Sequence, residues 1–223
     1  MKTMQKKAIV VHSGGMDSTI CLALAMKKYH NDDILSVTFS YGQRHSTEID
    51  AAKKICEDWN IDNKIIPLDF LATLTDNALI GNDTEIQHPK ETAPNTLVVG
   101  RNGLMPRLSA IHVNSLGGNT IFMGVVFPDN SGYRDCSREY MDLMEQILRI
   151  DLDDNTFTIQ TPLVTMTKKE TIALANDLNI LEYIVENTIT CYEGIKHPGC
   201  QKCPACILRN NGLADFIDSD ENQ

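Results

Sequence analysis

Ser13-Gly14-Gly15-Met16-Asp17-Ser18-Thr19 follows directly on the apolar run Ala8-Ile9-Val10-Val11 and leads into an apolar-periodic stretch. This is the layout of a strand passing through an anion-cradling loop into a helix. Two adjacent glycines let the backbone turn sharply and approach an anion closely. Ser13, Ser18 and Thr19 add hydroxyl donors where the next helix presents unpaired N–H groups. The loop lacks the Gly-Lys-Ser/Thr ending of a Walker loop and the six-residue glycine spacing of a dinucleotide fingerprint, so both readings fail. A plain Gly-Ser turn would explain a bare Gly-Gly pair; five matched positions between strand and helix favour a polyphosphate site.

Outward from the loop, periodicity predicts a helix over 19–28, with Ile20, Leu22, Ala23, Leu24 and Met26 apolar, and a second strand over 34–39. Thr47-Glu48-Ile49-Asp50 reads as a capping box opening a helix to about Trp59, and 64–68 reads as a third strand. Residues 76–96 are polar and broken by Gly81, Pro89 and Pro94; a stretch this long in a compact domain points to a functional loop, here a lid. Helices are expected over 103–116 and 137–149, and strands over 120–127 and 158–163. Thr167-Lys168-Lys169-Glu170 is a second capping box. Strand and helix alternate, so the fold class is α/β: a parallel, Rossmann-like sheet with helices on both faces. Ligands gather at strand exits in such sheets, which singles out the polar run 128–136.

The 223 residues suit one domain with a substantial core, and 42% hydrophobic content describes a soluble chain. No stretch approaches the roughly 20 apolar residues of a membrane span, and a cytoplasmic location is expected. A net charge of −10 opposes binding to a polyanion, so small molecules are expected as partners, not nucleic acid or membrane.

Of seven cysteines, Cys21, Cys56 and Cys136 are scattered, whereas Cys191, Cys200, Cys203 and Cys206 crowd the C-terminus. Disulfides are not expected in a reducing compartment. Four thiolates can close a tetrahedral, structural zinc site. The Cys-x-x-Cys-x-x-Cys run also opens bacterial ferredoxin motifs, although no fourth cysteine follows at their spacing. Zinc is the favoured reading, with an iron–sulfur cluster and unligated thiols as alternatives; His197 offers a substitute for one thiolate, an exposed loop histidine being the favoured reading. The expected organisation is an α/β domain over 1–186 and a four-cysteine metal-binding segment over 187–223 packed on it, ending in a helix over 204–216.

Ser-Gly-Gly-x-Asp-Ser at 13–18 resembles the loop of the N-type ATP pyrophosphatases, whose fold is adenine nucleotide alpha hydrolase-like. These proteins typically adenylate an oxygen with ATP and let a nucleophile displace AMP. Four further segments follow in order: Tyr41-Gly42-Gln43-Arg44-His45, Gly100-Arg101-Asn102, Ser131-Gly132-Tyr133 with Asp135-Cys136, and Cys191-Tyr192-x-Gly194 ahead of the cysteine triplet. Together they resemble, nearly end to end, the 7-cyano-7-deazaguanine (preQ0) synthase family of queuosine biosynthesis. The resemblance implies an ATP-dependent C–N ligase that turns 7-carboxy-7-deazaguanine and ammonia into the nitrile through an amide, with Mg²⁺ accompanying ATP, structural Zn²⁺ and a homodimeric state.

The family's nucleotide stretch matches His12, Ser13, Gly14, Gly15, Met16, Asp17, Ser18, Thr19, Ile20, Cys21 and Leu22, of which the last three also read as core residues of the helix. Asp17 is expected to orient the loop or help position Mg²⁺. Arg101 is expected to neutralise a carboxylate or phosphate charge, a surface ion pair being the competing reading. Lys168 or Lys169, at a helix start where positive charge opposes the macrodipole, is expected to serve an anion or to stay solvated. Arg44, Tyr133, Asp135 and Cys136 are the expected substrate residues: Tyr133 by stacking, Asp135 by accepting from the guanine-like edge, Cys136 as a wall before a nucleophile. His45 has the same standing as Arg44. The family usually has Pro where Arg134 and Val99 stand and Arg where Ser137 stands; these departures loosen the exact substrate and leave the ATP loop intact. Two rivals remain, a tRNA sulfurtransferase of the same superfamily and a zinc-stapled, non-catalytic nucleotide sensor.

Overall fold

β1 (Ala8–Val11) is apolar at every position because it is covered on both sides: Ile9 packs into one core, Ala8 and Val10 into the other. The computed structural model describes residues 5–41, 46–74, 99–126 and 133–220. β1 pairs in parallel with β2 (Ile34–Ser40) and β4 (Thr120–Met123). β3 (Asp62–Pro67) and β5 (Thr158–Gln160) complete a five-stranded parallel sheet of order β3-β2-β1-β4-β5. One face is covered by α1 (Met16–Lys28), α2 (Thr47–Asp58), α5 (Lys168–Asp177) and α6 (Leu181–Asn187) through Ile20, Leu22, Ile55, Ile172 and Ile184. The other is covered by α3 (Arg101–Ser115) and α4 (Arg138–Leu152) through Val113, Met141 and Leu148. Each such fully buried aliphatic side chain contributes roughly 1.5–3 kcal/mol by leaving water. α7 (Pro204–Asp220) packs on α5 and adds Leu213 and Phe216 to the first face.

The sequence-based boundaries shift in informative places. α1 starts at Met16 instead of 19, which puts Asp17 and Ser18 in its first turn. β4 ends at Met123 and β5 at Gln160, short of the expected 127 and 163. At Gly124 a methyl group would lie 2.8 Å from Ser18 N, so the chain leaving β4 runs against the start of α1 instead of extending the sheet. The Thr47–Asp50 capping box does not form: Ser46 is the cap residue, without a side-chain cap bond, and Glu48 faces a cavity. The Thr167 box does form, Glu170 N donating to Thr167 Oγ1 at 3.3 Å and Thr167 N to Glu170 Oε2 at 2.7 Å. α6, seven residues long, is too short to show a readable period. The expected lid over 76–96 lies outside the described residues, as do Arg44, His45, Val98 and residues 127–132.

His12, at the end of β1, is fully buried and joins three elements. Thr19 Oγ1 gives its proton to Gly15 O at 2.8 Å, so it accepts from His12 Nε2 at 3.0 Å; His12 Nδ1 then accepts from Ser36 Oγ at 3.2 Å. This network assigns a neutral, Nε2-protonated imidazole, and burial lowers the pKa from 6.5 to about 4. Above pH 6.5 the ring is neutral in both folded and unfolded chains. As the pH falls from 6.5 towards 4 the unfolded chain binds a proton that the folded one refuses, and up to about 3 kcal/mol of stability is lost. Urea denaturation at pH 7.5 and 4.5 is expected to reveal this loss, and His12→Gln to reduce the pH dependence by a similar amount.

At Gly14 the backbone is left-handed (φ +83°), and a methyl group would fall on the Glu48 carbonyl oxygen and within 2.8 Å of Ala52 N. Gly14→Ala is therefore expected to destabilise the chain by more than about 1 kcal/mol, read as a lower urea midpoint at unchanged slope.

Candidate active site

The strand order reverses between β1 and β4, which lead to opposite sides of the sheet, and a cavity of about 350 Å³ opens at their carboxyl ends. This is where open α/β sheets hold ligands, and the volume suits a small molecule. Its floor is the Ser13–Thr19 loop. Ser13 N donates to Ser18 Oγ at 3.1 Å, Ser18 Oγ donates to Gly15 O at 3.0 Å, and Gly15 caps α1 in an extended conformation. The hydroxyls thus brace the turn, while the first N–H groups of α1, with the positive end of its dipole, open onto the cavity beside Gly15, Met16 and Ser18. Ile20, Cys21 and Leu22 are fully buried in the core under α1 and do not line this cavity.

Asp17 and Lys168, 151 residues apart in sequence, meet here: Lys168 Nζ donates to Asp17 Oδ1 at 2.6 Å and Oδ2 at 2.8 Å. Lys168 is the first residue of α5 and is 7% exposed. Its charge at a helix start is offset by the Asp17 carboxylate in the first turn of α1. Asp17 is thereby engaged at both oxygens. Lys169 instead reaches Ser219 Oγ at 2.6 Å, away from the site.

A second corner forms opposite the loop. Gly100, left-handed at φ +76°, starts α3, and the Arg101 guanidinium lies over the Tyr41 ring, 5.4 Å from its centroid, with Nη1 donating to Tyr41 Oη at 3.3 Å. Asn102 N donates to Asp135 Oδ2 at 3.4 Å, and Asn102 Nδ2 to Cys136 Sγ at 3.3 Å. Asp135 is buried, and its Oδ1 is satisfied by no partner among the described residues. A buried carboxylate oxygen without a donor is costly; Asp135 itself stands behind the cavity wall, held by Asn102, and is not among the lining residues. Tyr133 and Cys136 line the cavity. Burial, reinforced by Asp135, pushes the Cys136 thiol up to about 12, which removes it as a nucleophile at neutral pH. Ser137, where the family's Arg is missing, caps α4 by accepting from Tyr140 N at 3.1 Å, so its role is structural; Arg134 and Val99 are exposed.

The C-terminal segment closes the far wall with Ile189, Thr190, Tyr192, Gly194 and Ala205. Ile189 N donates to Gly14 O at 3.0 Å, tying this wall to the loop, and Thr190 Oγ1 is a second buried atom without a described partner. Cys191, Cys200, Cys203 and Cys206 bring their sulfurs within 4.8 Å of one another, Cys200 and Cys206 at 3.9 Å. Four sulfurs at about 2.3 Å around one tetrahedral ion stand about 3.8 Å apart, so the set has the spacing of a single-ion site. Backbone N–H groups of Glu193 and Cys200 point at Cys191 Sγ, and that of Cys203 at Cys200 Sγ, at 3.3–3.4 Å, which stabilises thiolates. His197 is exposed and outside the set.

Tyr41, Glu48, Thr190 and Tyr192 were not among the expected site residues, yet all line the cavity. Tyr41 and Tyr192 sat inside segments that carried the family resemblance, a signal that was available. Glu48 was hidden by its reading as part of a helix cap. Burial pushes its carboxyl up to about 7 despite the opposing charge of Arg101.

Residues 7–217 match the family model described as queuosine biosynthesis protein QueC. Two 7-cyano-7-deazaguanine synthases of Clostridium botulinum, from strains Loch Maree and Langeland, are 42% and 43% identical over 95% of this chain and 96% of their own. Among solved structures, an NH3-dependent NAD synthetase from Campylobacter jejuni superposes with a TM-score of 0.52 over 82% of this chain and 68% of its own. A 4-thiouridine synthetase solved with RNA and bound ATP gives 0.53 over 97% and 53%. Both are 17% identical and share the fold. The match over residues 7–217 and the identity over 95% of the chain show that it belongs to the QueC family of 7-cyano-7-deazaguanine synthases.

Proposed function

We propose that the chain converts 7-carboxy-7-deazaguanine, ammonia and ATP into 7-cyano-7-deazaguanine through the amide. One observation carries this reading: the Ser13–Ser18 loop and a corner of Arg101, Asn102 and Tyr133 line one cavity, which suits a phosphate chain beside a flat anionic base. Hydroxide is a poor leaving group. Transfer of AMP to the carboxylate oxygen supplies a better one, ammonia displaces it, and the amide oxygen is activated by a second ATP before dehydration. A single nucleotide pocket serves both rounds.

In this reading the N–H groups at the start of α1 hold the phosphates, and the Asp17–Lys168 pair fixes the loop, with Mg²⁺ arriving on ATP. Arg101, its planar fork braced by Tyr41, neutralises the substrate carboxylate or the charge developing on phosphate. Asp135 Oδ1 accepts from the guanine-like edge and Tyr133 stacks on the base; Arg44 is kept as a candidate substrate residue. Zn²⁺ in the four-thiolate set would act structurally, holding the wall that carries Tyr192, and 187–223 would be a stapled segment on an α/β domain over 1–186. The exposed stripe Leu143, Ile147 and Ile150 on α4 supports a homodimer, and seven unpaired thiols support a reducing, cytoplasmic setting.

Incubated with 7-carboxy-7-deazaguanine, ammonium and Mg-ATP, the protein is expected to yield the nitrile by mass spectrometry; accumulation of the amide alone, or no product despite ATP binding, would contradict the reading. Asp135→Asn is expected to raise KM for the deazaguanine about 10–100-fold, the loss of a charged hydrogen bond, with little change in KM for ATP. Elemental analysis is expected to find about one zinc per chain. Cys203→Ser should lose it and lower Tm by roughly 5–10 °C, since 1 kcal/mol moves Tm by about 2–4 °C in chains of this size.

A further inference from the structure

Both rounds of the proposed reaction release protons from nitrogen, and a base must stand near the reacting carbon to take them. The acid–base groups at the cavity are mostly committed elsewhere. Asp17 is held at both oxygens by Lys168, and His12 has both ring nitrogens bonded inside the core. The Cys136 thiol is too weakly acidic, and Asp135 sits on Asn102 at the base-binding corner. Glu48 differs from all of these. It lies in the first turn of α2, lines the cavity, has its backbone against Gly14 of the loop and interacts electrostatically with Arg101 and Tyr41. Its backbone is fixed by the close approach of Gly14, so its place relative to the loop is rigid.

We propose that Glu48 is the proton acceptor for nitrogen in this site. The proposal rests on the nitrile-forming reading. In the first round a C–N bond forms as ammonia attacks the acyl adenylate, the C–O bond to AMP breaks with its electron pair leaving on AMP, and one N–H proton passes to a Glu48 carboxylate oxygen. In the second, the N–H protons of the activated amide leave as the third C–N bond forms and AMP departs; Glu48 takes the first of them and solvent the next. No oxidation state changes at any step. The groups acting electrostatically on Glu48 are Arg101 of α3 and Tyr41, which follows β2; Asp17 of α1, Tyr133 and Tyr192 are the other titratable groups lining the cavity alongside His12 and Cys136. Burial places its titration near pH 7, where a carboxylate is basic enough to accept and acidic enough to release.

The test is Glu48→Gln, read by three assays on the intact protein. Nitrile formation is expected to fall by about 100-fold or more. Carboxylate-dependent exchange of labelled pyrophosphate into ATP should stay close to wild type, because adenylation needs no base. Hydroxylamine, a much weaker base than ammonia whose cationic adduct loses its N–H proton readily to water, should still be converted to the hydroxamate. Exchange falling in step with nitrile formation would overturn the proposal in favour of a role on Arg101 or ATP, and so would wild-type turnover by the variant. If the Gln variant fails to fold, the wild-type kcat at saturating ammonia must show an acid limb near pH 7 that moves in Glu48→Asp; a flat profile overturns the proposal. Absence of nitrile from the wild-type protein itself would instead reject the underlying reaction.

Discussion

Gly14 is the point on which three parts of the molecule bear. Its left-handed backbone, pressed against the first turn of α2, helps turn the chain from β1 into α1 within the four residues 12–15 and leaves the N–H end of α1 uncovered. Its carbonyl accepts from Ile189, the residue from which the C-terminal wall departs. Its close approach to the Glu48 carbonyl sets where that carboxylate stands. Any side chain here would part the loop from α2 and disturb the cavity floor, the C-terminal wall and the placement of Glu48 together.

Much of this was legible in the sequence because local physics decides it. The apolar run 8–11, the Gly-Gly turn and the Thr167 capping box are short-range signals, and each produced the element expected. The four-thiol cluster was legible from spacing alone. Less legible was anything requiring distant residues to meet. The Asp17–Lys168 pair spans 151 positions, and only the folded sheet shows that the cation at the start of α5 serves the acid at the start of α1. Glu48 was misread because Thr-x-x-Asp is a good local cap, whereas here tertiary packing of Gly14 and the cavity overrides that preference.

The C-terminal segment turned out to be more than a staple. Because Tyr192 follows Cys191 directly and lines the cavity, and Ala205 lies between Cys203 and Cys206, the thiol cluster fixes a wall of the site. Removal of a metal held by these thiols would then reach the cavity through geometry. The departures from the family at Arg134 and Val99 leave exposed residues, and Ser137 becomes a helix cap, so none alters the buried corner formed by Arg101, Asn102 and Asp135. The acidic net charge and this enclosed, polar corner both suit a small planar anion better than an RNA.

The central claim is that the loop at the start of α1 activates the substrate carboxylate by adenylation. It is tested most directly with 7-carboxy-7-deazaguanine carrying ¹⁸O in both carboxylate oxygens. Adenylation in both rounds predicts that each nitrile formed leaves one ¹⁸O in each of two AMP molecules, with unlabelled pyrophosphate. Label recovered in inorganic phosphate, or AMP formed without ¹⁸O, would contradict it.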